Sequence, residues 1–261
     1  MLNSTQIDEL KNIIDKSLTR AEKHWENGGS ELQPMLESVS TEDARAFNKS
    51  KSDIPGHEYV QEEETVISEF IAFVADMRDS TKHLREAISA RTSDVSQLQR
   101  VFYETSALLP ALAYVVEAYG GKVTEFLGDG VLAFFRIEEN KEEVVRQSHK
   151  AAKVCIEQAR GILNEVLYDK YGLPQIDIGV GMALGKALIT LTGLDNNKKP
   201  IAFGECVFRA TKSSSGRNTI EVDEMLYHAW PTSKGGKLRF TKKSNNSFNS
   251  YTIGISESME R

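Results

Sequence analysis

Several features that mark particular classes of protein are scarce or missing in this 261-residue sequence. It has two cysteines, Cys155 and Cys206, whose spacing matches no zinc motif and no disulfide framework, so we expect two free thiols. The longest apolar windows, 108–116 and 131–135, fall well short of the roughly 20 residues of a membrane-spanning helix. Residues 1–11 lack the apolar stretch of a secretion signal. These absences predict a cytoplasmic protein without direct membrane contact.

A basic excess is also missing. The chain carries 32 Lys and Arg residues against 38 Asp and Glu residues, which gives a formal net charge of -6. A nucleic-acid-binding protein normally presents a basic face, so this charge balance argues against a nucleic-acid partner. A local group of Lys and Arg side chains remains compatible with binding of a small phosphate compound.

The first 60 residues differ in composition from the rest of the chain. Apolar residues between Ile7 and Leu18 recur at helical spacing, after a candidate N-cap at Ser4 or Thr5. The following residues are rich in Gly, Ser and Pro and show little periodicity. We therefore predict a helical extension and connector over residues 1–60, followed by a main domain over residues 61–256.

The main domain alternates between strand and helix patterns. We predict strands at 66–75, 122–127, 131–137, 176–180, 187–191, 219–222, 238–241 and 251–255. Long helices are predicted at 80–118, with a break near Ser93, and at 142–168, and a short helix at 205–213. Glycines at 181 and 185 suggest a turn between two of the strands. This order predicts an α/β (α+β) fold with a ferredoxin-like βαββαβ core and helices packed on one face of the sheet.

Two aspartates lie at the ends of apolar strands, where a carboxylate is costly unless another group compensates it. Asp76 ends the strand IAFVA, and Asp129 occupies the turn of EFLGDGVLAFF. If the two strands are neighbours, both carboxylates lie at one end of the sheet. Such a pair suits Mg²⁺ or Mn²⁺, which completes its shell with water and substrate phosphates. Individually, Asp129 is equally compatible with a turn residue and Asp76 with a helix cap.

The segment after Asp76 leads from a strand directly into a helix. Backbone N–H groups of residues 78–81 would therefore point towards a bound anion, such as a triphosphate. The side chains available there to contact a nucleotide are Arg78, Asp79, Ser80 and Thr81.

Four motifs resemble those of the class III nucleotide cyclases. IAFVADMRDST is similar to the motif that holds the first metal ion in that family, and EFLGDGVLAFF is similar to its second metal-binding hairpin. IGVGMALGKALITLTG resembles the following hairpin, and FGECVFRATK resembles the helix motif G-x-x-V-N-x-A-x-R. The similarity covers about residues 64–255, so it makes residues 61–256 a catalytic domain.

The resemblance implies a reaction and a set of ligands. In that family two divalent ions, Mg²⁺ or Mn²⁺, activate the ribose 3′-hydroxyl, which attacks the α-phosphate and expels pyrophosphate. Asp76 and Asp129 take the positions of the two metal-binding aspartates, and a backbone-carbonyl ligand falls on Met77. The family also implies a homodimer with sites at its interface, in which the aspartates come from one chain and the base-reading residues from the other.

The positions that read the base depart from both purine patterns. Adenylate cyclases have Lys and Asp where this chain has Glu125 and Ile201. Glu125 matches guanylate cyclases, but Ile201 offers no hydrogen bond to guanine, and an unpaired buried polar group costs about 1–3 kcal/mol. Glu125 would then accept a hydrogen bond from uracil N3–H or from the cytosine amino group. The alternative for Glu125 is a solvated charge at a strand end.

The helix motif departs from the family as well. Its transition-state Asn falls on Phe208 and its Arg on Lys212, while Arg209 directly follows Phe208. Phe208 would narrow the pocket or stack on a base, unless it is an ordinary core aromatic. Lys212 or Arg209 would supply positive charge to the phosphates. Lys242, beside Lys243, resembles the lysine of a loop that closes on the triphosphate, with a solvated loop as the alternative.

These departures resemble the Pycsar cyclases, a bacterial antiphage branch of the class III family. The resemblance implies conversion of UTP or CTP to cyclic UMP or cyclic CMP, which would activate a separate cyclic-nucleotide-gated effector. Two alternatives remain open: a guanylate cyclase, favoured by Glu125, and a cyclase-like module that binds nucleotide without catalysis, favoured by Phe208 and Lys212.

Overall fold

The computed structural model describes residues 1–29, 49–62, 65–85, 95–194, 197–232, 236–244 and 248–255. The helices of this part are α1 (Ser4–His24), α2 (Ser80–Arg85), α3 (Gln97–Ala118), α4 (Lys141–Val154), α5 (Arg160–Tyr171), α6 (Glu205–Ser213) and α7 (Glu224–His228). The strands are β1 (Lys49–Lys51), β2 (Tyr59–Gln61), β3 (Val66–Met77), β4 (Lys122–Phe126), β5 (Gly130–Arg136), β6 (Ile178–Leu194), β7 (Asn197–Phe203), β8 (Ile220–Asp223), β9 (Leu238–Ser244) and β10 (Asn249–Ile255). The predicted helix break near Ser93 lies outside the described residues.

The main sheet has β3 near its centre, paired antiparallel with β5 on one side and with β6 on the other. The order β4-β5-β3-β6 is the one expected for a ferredoxin-like βαββαβ core, which confirms the predicted fold class. Strand β8 continues the sheet parallel to β6, and β10 and β9 complete it. Strand β7, which the sequence pattern missed, folds back to pair with β6.

The sheet is covered on both faces, not on one as predicted. Alternate residues of β3, including Phe73, pack into a core that contains residues of α1, α3, α4 and α5. The other residues of the strand, including Phe70, pack into a second core with Cys206 and Ala210 of α6. The physical reason lies in β3 itself, because a continuous apolar run leaves both faces of a strand to be buried.

The strands predicted at 176–180 and 187–191 are one continuous strand, β6, which begins at Ile178. The glycines interpreted as a turn serve close packing. A Cβ atom on Gly181 would lie 2.0 Å from the carbonyl oxygen of Ala210, and one on Gly185 would lie 3.1 Å from Cβ of Cys206. Hydrogen in place of a side chain therefore lets α6 lie directly on the sheet.

Helix α1 is an integral part of the larger core, since Leu10, Ile14 and Leu18 are fully buried in it. Its N-cap is Asn3, one residue before the predicted candidates, and Asn3 forms a reciprocal capping box with Gln6. Within the predicted connector, residues 49–61 form a ribbon of β1 and β2, and residues 30–48 lie outside the described part. The domain boundary near residue 60 stays a prediction.

Two further predictions concern thiols and membranes. Cys155 and Cys206 are both free and buried, as expected. Over the described residues, no helix combines the length and apolar character needed to cross a bilayer.

Candidate active site

Asp76 and Asp129 meet at the same end of the sheet. Asp76 is paired with Gly130 in the register of β3 and β5, which places Asp129 directly beside it along the hairpin. The backbone N–H of Met77 donates to the carbonyl oxygen of Asp129 at 3.0 Å. Both aspartates line one cleft of about 600 Å³, together with residues 77–82 and Arg85. The predicted convergence of the two carboxylates is therefore present in the geometry.

Gly130 allows this close approach of the two strands. A Cβ atom at this position would lie 2.6 Å from the carbonyl oxygen of Ala75 and 2.8 Å from Oδ1 of Asp76. Neither the strand backbone nor the adjacent carboxylate has room for it. The spacing between the two aspartates thus depends on a residue without a side chain.

We expect Gly130→Ala to separate the hairpin from β3, with a loss of about 1–3 kcal/mol in the free energy of unfolding. Urea denaturation measures this loss. Gly161→Ala is the matched control, because a Cβ atom on Gly161, which lies within α5, has no neighbour within 4 Å and should leave the protein as stable or more so. Equal stability of the two variants would contradict the close approach.

Each carboxylate has a polar partner within the cleft. The guanidinium of Arg78 forms an ion pair with Asp76, and the hydroxyl of Ser80 donates to Asp129. Nε of Arg78 is buried without a hydrogen-bond partner. Burial lowers the pKa of Arg78, while the negative charges of Asp129 and Asp79 oppose this shift. A cation thus already lies beside Asp76, within electrostatic range of Asp129.

The strand-to-helix segment is tied to a distant loop. Asp79 adopts a left-handed conformation, with φ of 61°, and its carboxylate pairs with Arg217. Arg217 also pairs with Asp177, whose carbonyl oxygen accepts the backbone N–H of Arg78 at 2.8 Å. That N–H is therefore engaged, and the predicted anion-facing set of residues 78–81 is reduced by one. The neighbouring Thr81 lines the cleft as predicted.

The fit to a divalent ion rests on the chemistry of these donors. Among the described residues, no group of three or more His, Cys, Asp and Glu side chains forms a metal cluster. The chain offers the two carboxylates of Asp76 and Asp129. It also offers the backbone carbonyl of Met77, the residue that directly follows Asp76. Mg²⁺ commonly takes one or two carboxylates and completes its shell with water and substrate phosphates, so this donor set fits.

The residues predicted to read the base lie elsewhere on the chain. Glu125 is exposed on β4, Ile201 is half-buried on β7, and Phe208 on α6 is 50% exposed, which disfavours a core role. Lys212 is also exposed, with Nζ 5.8 Å from the centre of the Phe208 ring. Of the described residues that line the cleft with Asp76, none belongs to this group.

Arg209 has partners of its own within the fold. Its guanidinium donates to Asp223 at 3.1 Å and pairs with Glu205 one helical turn away. Asp223 is fully buried and also accepts the backbone N–H groups of Leu184 and Leu226. Burial raises the pKa of the Asp223 carboxyl, and these hydrogen bonds oppose the shift by stabilising its charge. Arg209 therefore fastens α6 to the sheet.

Lys242 and Lys243 lie in strand β9, not in the loop that was predicted. Lys242 is exposed opposite Tyr251, whereas Lys243 donates to the buried carboxylate of Glu221 at 2.8 Å. Ser250 donates to the same carboxylate at 2.6 Å. Ion pairs between residues far apart in the sequence, like the one between Asp79 and Arg217, are not indicated by any local sequence pattern.

The chain has the fold of a class III cyclase domain. It is similar to the guanylyl cyclase Cya2 (TM-score 0.58, 17% identity, 75% of this chain and 96% of that one). It is also similar to the adenylyl cyclase CyaB from P. aeruginosa (TM-score 0.60, 16% identity, 74% of this chain and 97% of that one). A class III adenylyl cyclase-like ATP-binding protein from Pseudomonas aeruginosa is a further neighbour (TM-score 0.56, 18% identity, 66% of this chain and 37% of that one).

Sequence comparison gives a curated relative that is described as an adenylate cyclase. The chain is 24% identical, over 69% of its length, to the protein described as "Adenylate cyclase, terminal-differentiation specific" from Dictyostelium discoideum. It spans 9% of the length of that relative. No family model matches the chain.

Proposed function

We propose that this chain is a nucleotide cyclase, which converts a nucleoside triphosphate to its 3′,5′-cyclic monophosphate and pyrophosphate. The observation that carries the proposal is the convergence of Asp76 and Asp129 in one cleft, at the start of a strand-to-helix segment. The cyclase fold of the neighbours and the similarity to the Dictyostelium discoideum adenylate cyclase support it.

In this proposal Asp76 and Asp129 hold two divalent ions, Mg²⁺ or Mn²⁺, with the carbonyl of Met77 as a further ligand. Bound ions supply stabilisation of the developing alkoxide and of the pyrophosphate leaving group. Arg78 releases Asp76 and turns its guanidinium to the phosphates, where its unpartnered Nε gains an acceptor. Ser80 contributes its hydroxyl beside Asp129.

The proposed active unit is a homodimer. Phe208 and Lys212 are exposed on α6 and do not line the cleft of their own chain, which is expected if they complete the site of a partner. Lys212 is the better transition-state cation, because Arg209 is engaged by Asp223 and Glu205. Lys242 is exposed on β9 and remains a candidate for contact with the triphosphate.

The proposed substrate is UTP or CTP. The side chain of Ile201 has no group to hydrogen-bond a purine edge, while Glu125 is exposed on β4 and offers the two acceptor oxygens of its carboxylate. The half-exposed ring of Phe208 suits stacking on a small base. By its resemblance to the Pycsar cyclases, the product would act on a separate effector in antiphage defence.

Two other functions are candidates. A guanylate cyclase is favoured by the exposed Glu125. A module that binds nucleotide without catalysis is favoured by the ion pair between Arg78 and Asp76, and by the neighbour described as an ATP-binding protein.

Incubation of the purified protein with ATP, GTP, CTP and UTP separately, with Mn²⁺ or Mg²⁺, tests these alternatives. We expect mass spectrometry to identify cyclic UMP or cyclic CMP as the main product, since Ile201 leaves the polar groups of a purine unpaired at a cost of about 1–3 kcal/mol. Reactions without a divalent ion are the control.

Cyclic GMP as the main product would overturn the pyrimidine assignment and make Glu125 a guanine reader. Absence of product with all four nucleotides, from protein shown to be dimeric, would favour the binding module.

A further inference from the structure

A second cavity, of about 670 Å³, lies between α4, the end of α7 and the start of β9. It shares no described lining residue with the cleft of Asp76 and Asp129. Ligand-binding cavities for small molecules typically have volumes of roughly 300–1,000 Å³, so its size suits a compound such as a mononucleotide. The proposed reaction has no use for it.

One wall of the cavity is aromatic. The centre of the Trp230 ring lies 5.2 Å from the centre of the His149 ring and 5.1 Å from that of the Phe240 ring, and both pairs have an edge-to-face geometry. Tyr227 lies 5.2 Å from Phe240, again edge-on. Trp230 and Tyr227 are half-buried, so part of their surface remains accessible. An accessible aromatic wall favours stacking of a flat ring.

The rim of the cavity is positive in a chain whose net charge is negative. Arg146, Lys150 and Lys237 line it, and none of its described lining residues is an Asp or Glu. Lys150 and Lys237 are exposed, while Arg146 also pairs with Glu142 at 2.9 Å. Two lysines on a cavity wall give an anion charge-assisted hydrogen bonds.

His149 adds an aromatic surface and little charge. Burial, with a further contribution from Lys153, lowers its pKa to about 4. Its ring is therefore neutral near pH 7. The wall thus presents neutral aromatic rings beside a separate group of cations.

We propose that this basic aromatic pocket binds a nucleoside monophosphate, with the base stacked on Trp230 and the phosphate held by Lys150 and Lys237. A flat ring and an anionic group linked at short distance match its two chemical surfaces. The site is separate from the catalytic cleft and does not depend on the proposed cyclase activity.

The two tryptophans of the chain allow a direct test, because Trp25→Phe leaves Trp230 as the sole tryptophan. We expect UMP, CMP, AMP and GMP to quench the fluorescence of this variant with saturation, and the corresponding nucleosides to do so more weakly. Adding Lys150→Glu should weaken monophosphate binding about tenfold, which corresponds to loss of about 1.4 kcal/mol. Lys16→Glu, at an exposed position on α1, is the matched charge control and should bind as the parent does.

Quenching without saturation, or equal affinity in the Lys150→Glu and Lys16→Glu variants, would overturn the proposal. The same titration of the Trp25→Phe variant with Asp76→Asn added distinguishes binding in the basic aromatic pocket from binding in the catalytic cleft. Saturable quenching that persists there supports the pocket, and its loss would assign the signal to the catalytic cleft. These results stand apart from the product assay, since the pocket can bind monophosphate in a protein that makes no cyclic nucleotide.

Discussion

Asp76→Asn and Asp129→Asn are each expected to lower kcat/KM for cyclic nucleotide formation by at least about a thousandfold, or about 4 kcal/mol in transition-state stabilisation. An amide retains the shape of the carboxylate but loses the charge that a divalent ion requires. The two residues are neighbours across β3 and β5, so each variant removes one of the two carboxylates that line the cleft. Initial rates with Mn²⁺ and the preferred triphosphate measure the loss.

Asp169→Asn is the matched control, because Asp169 is an exposed carboxylate on α5. We expect it to keep the parent activity. The ion pair of Asp76 with Arg78 and the hydrogen bond of Ser80 to Asp129 are lost or weakened in the two test variants, so thermal unfolding must be recorded beside the rates. A folded Asp76→Asn or Asp129→Asn protein with more than a tenth of the parent activity would contradict the metal assignment.

Asp223→Ala is expected to lower the free energy of unfolding by about 3–5 kcal/mol, because it leaves the partly buried Arg209 without its buried partner. The side chain of Arg209 is 19% exposed and that of Asp223 is fully buried. The same substitution removes the acceptor for the backbone N–H groups of Leu184 and Leu226. The hydrogen bond from Leu226 is the one by which Asp223 caps the N-terminus of α7. Urea denaturation, with the midpoint and slope fitted together, gives the loss.

Two comparisons separate this ion pair from the nearby charge of α6. Asp223→Asn retains an oxygen acceptor for the amides and should lose less stability than Asp223→Ala. Lys212→Met removes an exposed cation three residues after Arg209 and should stay within about 0.5 kcal/mol of the parent. If the free energy of unfolding of Asp223→Ala also stayed within about 0.5 kcal/mol of the parent, the ion pair of Arg209 would not hold α6 to the sheet. Arg209 would then again be a candidate for the transition-state cation.

The part of the site that the sequence predicted is the part built from neighbouring strands. Asp76 lies near the end of β3 and Asp129 directly precedes β5, and these two strands pair in the sheet, so the convergence of the carboxylates follows from topology. The pairing of Arg217 with Asp79 spans 138 positions of the chain, and no local pattern indicates it. The engagement of Arg209 by Asp223 was equally hidden, although our proposal of Lys212 as the transition-state cation rests on it.

The turn predicted at two glycines of β6 is wrong. In the sequence, Gly181 and Gly185 suggested a turn, since glycine is common where a strand ends. In the fold they lie within β6, and Gly181 has the backbone of Ala210 where a side chain would be. The partner that makes glycine necessary lies about 30 residues away, and a single sequence does not show which helix covers which strand.

The apolar and polar patterns of the sequence by themselves determined the order of the elements up to the end of the ferredoxin-like core, and the two aspartates at one sheet end. These features depend on periodicity and on neighbours along the chain or across adjacent strands. Only the tertiary structure decided that α6 covers the second face, that Arg78 and Arg209 already have carboxylate partners, and that Trp230 and Lys150 share a cavity. Such contacts join distant segments, and side-chain volume and charge select them only after the sheet and helices have packed.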